Sequence, residues 1–341
     1  MAVEIEPAAS PSRLMLQMLS GYWFSQALYV VAALQIADRL GAGPRTAEEI
    51  AVEAEVNSDA LYRLLRALSS VGIFAMGPRG FELTPLSETL LSQREGSLQP
   101  VALLGGHPLH WNAWGKLLDC VKTGKPAFEL AHGQPFFLAL AQETTLLREF
   151  HRIPTLAASQ WNELIAALAL HRFRCAIDIG GGAGALASRM AEAYPDLRVI
   201  LFDRPEITGL APVRTRVEVV SGDFFDRVPE NGDAYILKFV LHDWNDVDAT
   251  RILSCCRRHM PDGARLLVIE VLVPQDRAPS IAKTHDVNML VLTGGQERSL
   301  EEYRTLFRGA GFDLSSAATT TSGISVLEAV CDNANVAPIT G

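Results

Sequence analysis

The chain is short of cysteine, short of charge and free of any long apolar run, and each shortage excludes a class of protein. No window reaches the roughly 18 uninterrupted apolar residues of a membrane span, and no basic segment leads into an apolar stretch at the N-terminus. We therefore expect a cytoplasmic protein with no membrane partner. The five cysteines (Cys120, Cys175, Cys255, Cys256, Cys331) are an odd number without framework spacing, so buried free thiols are expected. No His/Cys cluster has zinc spacing, and no metal is expected. Basic charge is in deficit, with 30 Lys and Arg against 39 Asp and Glu, a net charge of −9 that argues against nucleic acid as the main partner. What remains, 341 residues that are 48% hydrophobic and 20% charged, suits a globular protein of two domains.

The most informative stretch is Asp178-Ile179-Gly180-Gly181-Gly182-Ala183-Gly184, followed by the apolar run Val199-Ile200-Leu201-Phe202 and Asp203. Glycines after a buried strand let the backbone turn sharply and approach a ligand. An acid about 20 residues on meets ribose hydroxyls. These residues alone leave the nucleoside open, because Gly180, Gly182 and Ala185 also satisfy the nicotinamide pattern G-x-G-x-x-A.

The surrounding pattern narrows the choice. Beyond Cys175, short β-branched runs alternate with helical stretches, which predicts a parallel sheet with strands at Cys175–Ile179, Arg198–Phe202, Val217–Val220, Ala234–Val240 and Arg265–Ile269. Asp178, Asp203, Asp223, His242 and Glu270 stand at the carboxyl ends, the edge where open α/β sheets bind ligands. A helix capped by Ser299 with Glu302 follows, then Phe312–Thr319 and Ile324–Val330, which read as an antiparallel hairpin. Five parallel strands plus a hairpin is the Rossmann-like sheet of S-adenosylmethionine (SAM) methyltransferases rather than the usual nicotinamide arrangement.

Residues 13–40 are apolar nearly all round, and such a helix must be buried by something. We expect it to pack against a second subunit, with an ordinary core helix as the alternative. Thr46-Ala47-Glu48-Glu49 has the form of a capping box. A helix from near Ser58 to Gly72 and two short strands around Gly77-Pro78-Arg79-Gly80 complete a mainly helical, winged-helix-like domain. Winged helices often bind DNA, which raises a regulator as a competing function. Residues 1–100 carry seven basic and eleven acidic side chains, and an acidic wing repels phosphate. We place this domain at 1–103 and the second at 104–335, with 104–174 as connecting helices. Their aromatics (Trp111, Trp114, Phe128, Phe136, Phe137, Phe150, Trp161) are read mainly as core, with the roof of an acceptor pocket as the alternative.

The run Asp178–Gly184, with Asp203-Arg204-Pro205, Ser221-Gly222-Asp223-Phe224-Phe225, Lys238-Phe239-Val240-Leu241-His242-Asp243-Trp244 and Gly294-Gly295-Gln296-Glu297-Arg298, resembles the plant-type and hydroxyindole-type small-molecule O-methyltransferases. The resemblance extends over essentially the whole chain and implies an N-terminal dimerisation domain and a homodimer. It implies SAM as cofactor, with Asp178 among its binding residues, Gly180 and Gly182 at its methionine end, Asp203 on the ribose, Asp223 and Phe224 on the adenine, and Lys238 fixing it. It implies a phenolic or other aromatic hydroxyl as acceptor, contacted by Asn288, Met289 and Trp244. For Met289, simple packing is an equal alternative. Some relatives methylate nitrogen or no longer methylate, so both remain alternatives.

The resemblance also implies His242 as general base, flanked by Glu270 and Glu297, with Asp243 near the acceptor. The chemistry suits the residue types. A phenol with pKa about 10 is ionised in only about one molecule in 1000 at pH 7, equivalent to roughly 4 kcal/mol, and a positioned imidazole removes that obstacle. One stretch departs from the family pattern: Phe150-His151-Arg152-Ile153-Pro154 stands where Phe-Asn-x-x-Met is usual. We expect an altered acceptor pocket there, and His151 to be a surface histidine, with a polar contact as the alternative.

Overall fold

The computed structural model describes residues 10–153, 158–210 and 216–331, and it divides into two compact units between Trp111 and Asn112. The sequence reading sets that boundary at 103/104. The later division follows from packing: the helix Gln99–Gly106 lies on the first helix, where Gln26 Nε2 donates to the Gly106 carbonyl (3.3 Å) and Gln99 Nε2 to that of Ala32 (3.3 Å).

In the first unit the apolar stretch forms two helices rather than one. Pro11–Ala33 is started by Ser10, whose hydroxyl accepts from Arg13 N, and it stops before Gln35, whose φ of 52° begins the short helix Ile36–Leu40. The capping box is present: Glu49 N donates to Thr46 Oγ1 (3.3 Å) and Thr46 N to Glu49 Oε2 (2.9 Å), opening the helix Ala47–Ala54. Asn57 caps the helix Ser58–Ser69, and strands β1 (Phe74–Gly77) and β2 (Gly80–Leu83) pair antiparallel. Ile36, Leu40, Ile50, Leu65, Phe74 and Phe81 form a core that leaves most of the first helix uncovered. Leu16, Met18, Leu19, Tyr22 and Trp23 are exposed, Met18 by 75%. A contiguous apolar face of this kind marks an interaction surface.

The second unit is built on a sheet of β3 (Cys175–Ile179), β4 (Arg198–Asp203), β5 (Val217–Ser221), β6 (Ala234–Lys238), β7 (Arg265–Val271), β8 (Phe312–Thr319) and β9 (Ile324–Cys331). Their spatial order is β5-β4-β3-β6-β7-β9-β8, the first five parallel and the last two an antiparallel hairpin against β7. The central strands are mostly apolar because both faces are covered. Tyr235, Leu237, Leu266 and Val268 face one core with Ile252, Leu253 and Phe307. Ala234, Ile236, Leu267 and Ile269 face the other with Trp161, Leu186 and Met190. The chain order reverses on either side of β3, which opens a crevice at the carboxyl ends of β3 and β6. Among the described residues all five cysteines are free, four of them buried.

Two strand ends differ from the sequence reading in a way that shapes the crevice. β6 stops at Lys238, not Val240, because Phe239 takes φ = 53°, a backbone region rare for a bulky side chain. The chain thereby leaves the sheet and enters the 3₁₀ turn Leu241–Asp243. β7 runs on to Val271, so Glu270 lies inside the strand, fully buried, rather than at its exposed end.

Candidate active site

The glycine turn follows β3. Gly180 and Gly182 have φ of 66° and 60°, and a Cβ on Gly180 would lie 2.8 Å from Val240 Cγ2, so glycine is required at this turn. Phe224 lies beside it, its Cε1 3.6 Å from the same point. Asp203 closes the next strand, where Oδ2 accepts from Gly182 N (2.8 Å) and Oδ1 from Arg204 N (2.7 Å). Burial raises its pKa, and each oxygen keeps a lone pair for a further donor. Asp223 makes an Asx turn, Oδ1 accepting from Phe225 N (2.8 Å). Lys238, at the end of β6, holds Nζ 4.3 Å from the Phe239 ring centre and 5.6 Å from that of Trp161. Burial lowers its pKa to about 8, opposed by Asp178 and Glu270.

His242 sits on the turn after β6. Its Nδ1 is 2.8 Å from Glu297 Oε1 and 3.7 Å from Glu270 Oε2, and its Nε2 is 3.9 Å from Asp243 Oδ2. Burial alone would depress the imidazole, but Glu270, Asp243 and Glu297 outweigh it and lift its pKa to about 10. Burial would raise Glu297, but hydrogen bonds from two histidines hold it at about 2. Burial pushes Asp243 up to about 6 and Glu270 up to about 7. The two glutamates therefore have separate duties. Glu297 holds the ring, whereas Glu270 Oε1 accepts from the backbone N–H groups of Leu241 (3.1 Å) and His242 (3.3 Å) and holds the turn.

Sequence reasoning missed three residues here. His285 Nδ1 also meets Glu297 Oε1, at 2.7 Å, so two imidazoles share one oxygen. It lies one helical turn before Asn288 on the helix Ile281–Leu292, a spacing that could have drawn attention to it. His242, His285 and Glu297 are the one group among the described residues with metal-ligand spacing, and hydrogen bonding accounts for both N···O distances. Arg298 is fully buried and grips the loop that carries His242: its guanidinium donates to the carbonyls of Leu241 (2.9 Å) and Trp244 (2.8 Å) and to Asp246 Oδ1 (2.9 Å). Gly295 completes the grip, since a Cβ there would strike the backbone of His242, Asp243 and Trp244.

The comparisons decide the family. Residues 114–313 match the O-methyltransferase domain and residues 16–93 the O-methyltransferase dimerisation domain. The chain is 38% identical over 327 residues to phenazine O-methyltransferase PhzM of Lysobacter antibioticus, covering 93% of this chain and 96% of that protein. It is 33% identical to 8-amino-8-demethylriboflavin N,N-dimethyltransferase of Streptomyces davaonensis, over 91% and 93% of the two chains. The crystal structure of human N-acetylserotonin methyltransferase in complex with SAM superposes with a TM-score of 0.87 at 28% identity, covering 96% of this chain and 99% of that one. The chain belongs to the SAM-dependent O-methyltransferases.

As a member of this methyltransferase family it uses SAM, and the nicotinamide reading of Gly180, Gly182 and Ala185 falls. The crevice fits the cofactor: a glycine turn whose Cβ positions are filled by neighbours, a carboxylate with spare lone pairs, and an aromatic ring beside them. Several expectations are revised. Asp178 is buried beneath the turn, where Oδ2 accepts from Ala187 N (3.1 Å) and lies against Gly181, so it supports the methyltransferase's glycine turn. Trp244 packs on Phe225, Phe224 and Phe137 (ring centres 4.7, 6.0 and 6.3 Å apart), which puts it with the aromatic group around Phe224. Met289 is only 5% exposed and points into the core, and Asn288 Oδ1 accepts the Trp114 indole N–H at 3.1 Å. His151 is not on the surface: a Cβ on Gly182 would lie 2.9 Å from its Nδ1. Phe128, Phe136 and Trp161 are core, and Pro154, the centre of the expected pocket change, lies outside the described residues.

The grip on the His242 loop leads to a paired prediction. Arg298→Lys should destabilise the fold by about 2–4 kcal/mol in chemical denaturation, because a buried fork of hydrogen bonds cannot be rebuilt by one ammonium. Gly295→Ala should displace the loop and lower kcat about tenfold or more, while S-adenosylhomocysteine affinity measured by calorimetry stays within about twofold.

Proposed function

We propose that this methyltransferase methylates a hydroxyl of an aromatic or heteroaromatic small molecule, with His242 accepting the hydroxyl proton at Nε2. The observation that carries the reading is the 2.8 Å contact between His242 Nδ1 and Glu297 Oε1. With Nδ1 committed as a donor, Nε2 is the ring nitrogen left to take a proton. SAM supplies an electrophilic methyl group on a sulfonium, and the protein's task is to bring an oxygen lone pair to it. We assign Asp203 to the ribose hydroxyls, Asp223 and Phe224 to the adenine, Gly180 and Gly182 to the methionyl end, and Lys238 to the charge balance of the cleft. Glu297 positions the imidazole and stabilises its cationic form, and Glu270 holds the turn. Asp243 faces Nε2 and so stands near the acceptor, and Asn288 with Trp114 contributes a polar edge to the acceptor side.

The lifted histidine pKa matches that of a phenol near 10, so proton transfer between the two is nearly balanced once the ring is in its base form. The relatives include a phenazine O-methyltransferase and an N,N-dimethyltransferase. We favour oxygen, since a buried imidazole backed by carboxylates serves an acceptor that must lose a proton before it attacks.

The reading also includes a homodimer built on the exposed apolar face of Pro11–Ala33 in the dimerisation domain. No helix among the described residues is long and apolar enough to cross a membrane, so a second protein surface is the cover we assign to it.

Four outcomes follow. Incubation with labelled SAM and a panel of phenols, hydroxyindoles and hydroxylated heteroaromatics should label at least one hydroxyl. His242→Gln should lower kcat by about 10²–10⁴ with S-adenosylhomocysteine affinity nearly unchanged, and retained turnover would refute the base assignment. For a phenolic acceptor, kcat/KM should climb from pH 7 to 9. The raised pKa keeps His242 protonated at neutrality, and its base form accumulates only as pH rises toward about 10. Light scattering should give a dimer that Leu19→Glu with Trp23→Glu converts to monomer.

A further inference from the structure

The order of the strand ends matches the order of groups in SAM. Phe224 follows β5, Asp203 ends β4, the glycine turn follows β3 and His242 follows β6, and the strands stand side by side in that order. Adenine at the first and ribose at the second leave the amino-acid end at Gly180–Gly182. His151 lies there, at the end of the helix Thr144–Arg152, its Nδ1 edge on Gly182. Its Nε2 is buried and has no hydrogen-bond partner. A polar nitrogen so placed calls for an explanation, since buried polar groups are nearly always paired.

We propose that His151 is a cofactor-binding residue, donating Nε2–H to the carboxylate of the methionyl group. This rests on the cofactor lying along the strand ends as described. Two features select the carboxylate over the neighbouring ammonium. Burial and the Arg204 guanidinium hold His151 far below the ordinary histidine range, at about 4, so it is a neutral ring. The same Arg204 charge, shared with Glu206 at 3.2 Å, reaches the ring and favours an anion over an ammonium. A neutral imidazole can still present one N–H, and a hydrogen bond to a carboxylate is of the stronger, charge-assisted kind.

The test is calorimetry on the full-length protein with three probes: S-adenosylhomocysteine, decarboxylated SAM, which keeps the ammonium but lacks the carboxylate, and 5′-methylthioadenosine, which lacks both. His151→Leu should weaken S-adenosylhomocysteine about tenfold or more and leave the other two within about twofold. His151→Gln, which retains an N–H donor, should recover part of the loss, and it allows the same three-probe comparison should the leucine variant fold poorly. Unchanged S-adenosylhomocysteine affinity in the variants overturns the proposal. So does an equal loss for all three probes, which would mark a packing role, and so does a loss for decarboxylated SAM alongside S-adenosylhomocysteine, which would place the ring on the ammonium. Binding of the wild type to all three probes tests the cofactor site itself, separately from His151 and without reference to methyl transfer.

Discussion

One oxygen of Glu297 organises the centre of this protein. It accepts from Nδ1 of both His242 and His285, and it lies in a cluster with two further buried carboxylates, Glu270 and Asp243. Left unpaired, these acids would be strongly disfavoured by burial, and removing one partner of such a buried pair typically costs about 3–5 kcal/mol. The histidine that pairs with them is thereby held in one orientation and one tautomer. In the role proposed for His242, the same contact that satisfies a buried carboxylate also prepares the imidazole for proton transfer, so stability and the proposed chemistry depend on a single geometry.

Holding that geometry requires a loop that cannot drift. The chain leaves β6 through Phe239, whose positive φ is a strain tolerated where the surroundings impose it, and the Phe239 amide is tied to the Ile269 carbonyl at 3.0 Å. From there the backbone is held on three sides: Glu270 accepts from the turn's N–H groups, Arg298 donates to its carbonyls, and Gly295 allows the opposing backbone to come close. Glu297, Arg298 and Gly295 come from one short segment after the helix Ile281–Leu292. One stretch of chain thus orients the histidine, clamps its loop and leaves room for both.

Much of the fold could be read in the chain. The limits of β3 agree with the residue pattern, because a strand covered on both faces is a short apolar run bounded by turn residues. The Thr46–Glu49 and Ser299–Glu302 caps were equally legible, since both partners of each hydrogen bond sit three residues apart. His242, Glu270 and Glu297 were named together only through motif resemblance; no local rule joins residues so far apart. His285 and Arg298 went unassigned, and His151 was read as a surface histidine, for the same reason. Each acts on a group distant in sequence, and composition gives no sign of such a meeting.

The sequence by itself determined the alternation of strand and helix, the acidic charge balance, the glycine turn and the family, all of which depend on residues adjacent or periodic along the chain. Tertiary structure alone decided that Asp178 supports the turn from below, that Met289 belongs to the core, that Trp244 joins the aromatics around Phe224, and that His151 lies against Gly182. The physical reason is that a side chain's role depends on what lies across the gap from it. Strand order and helix packing set that neighbour, and neither is written in the spacing of residues along one segment.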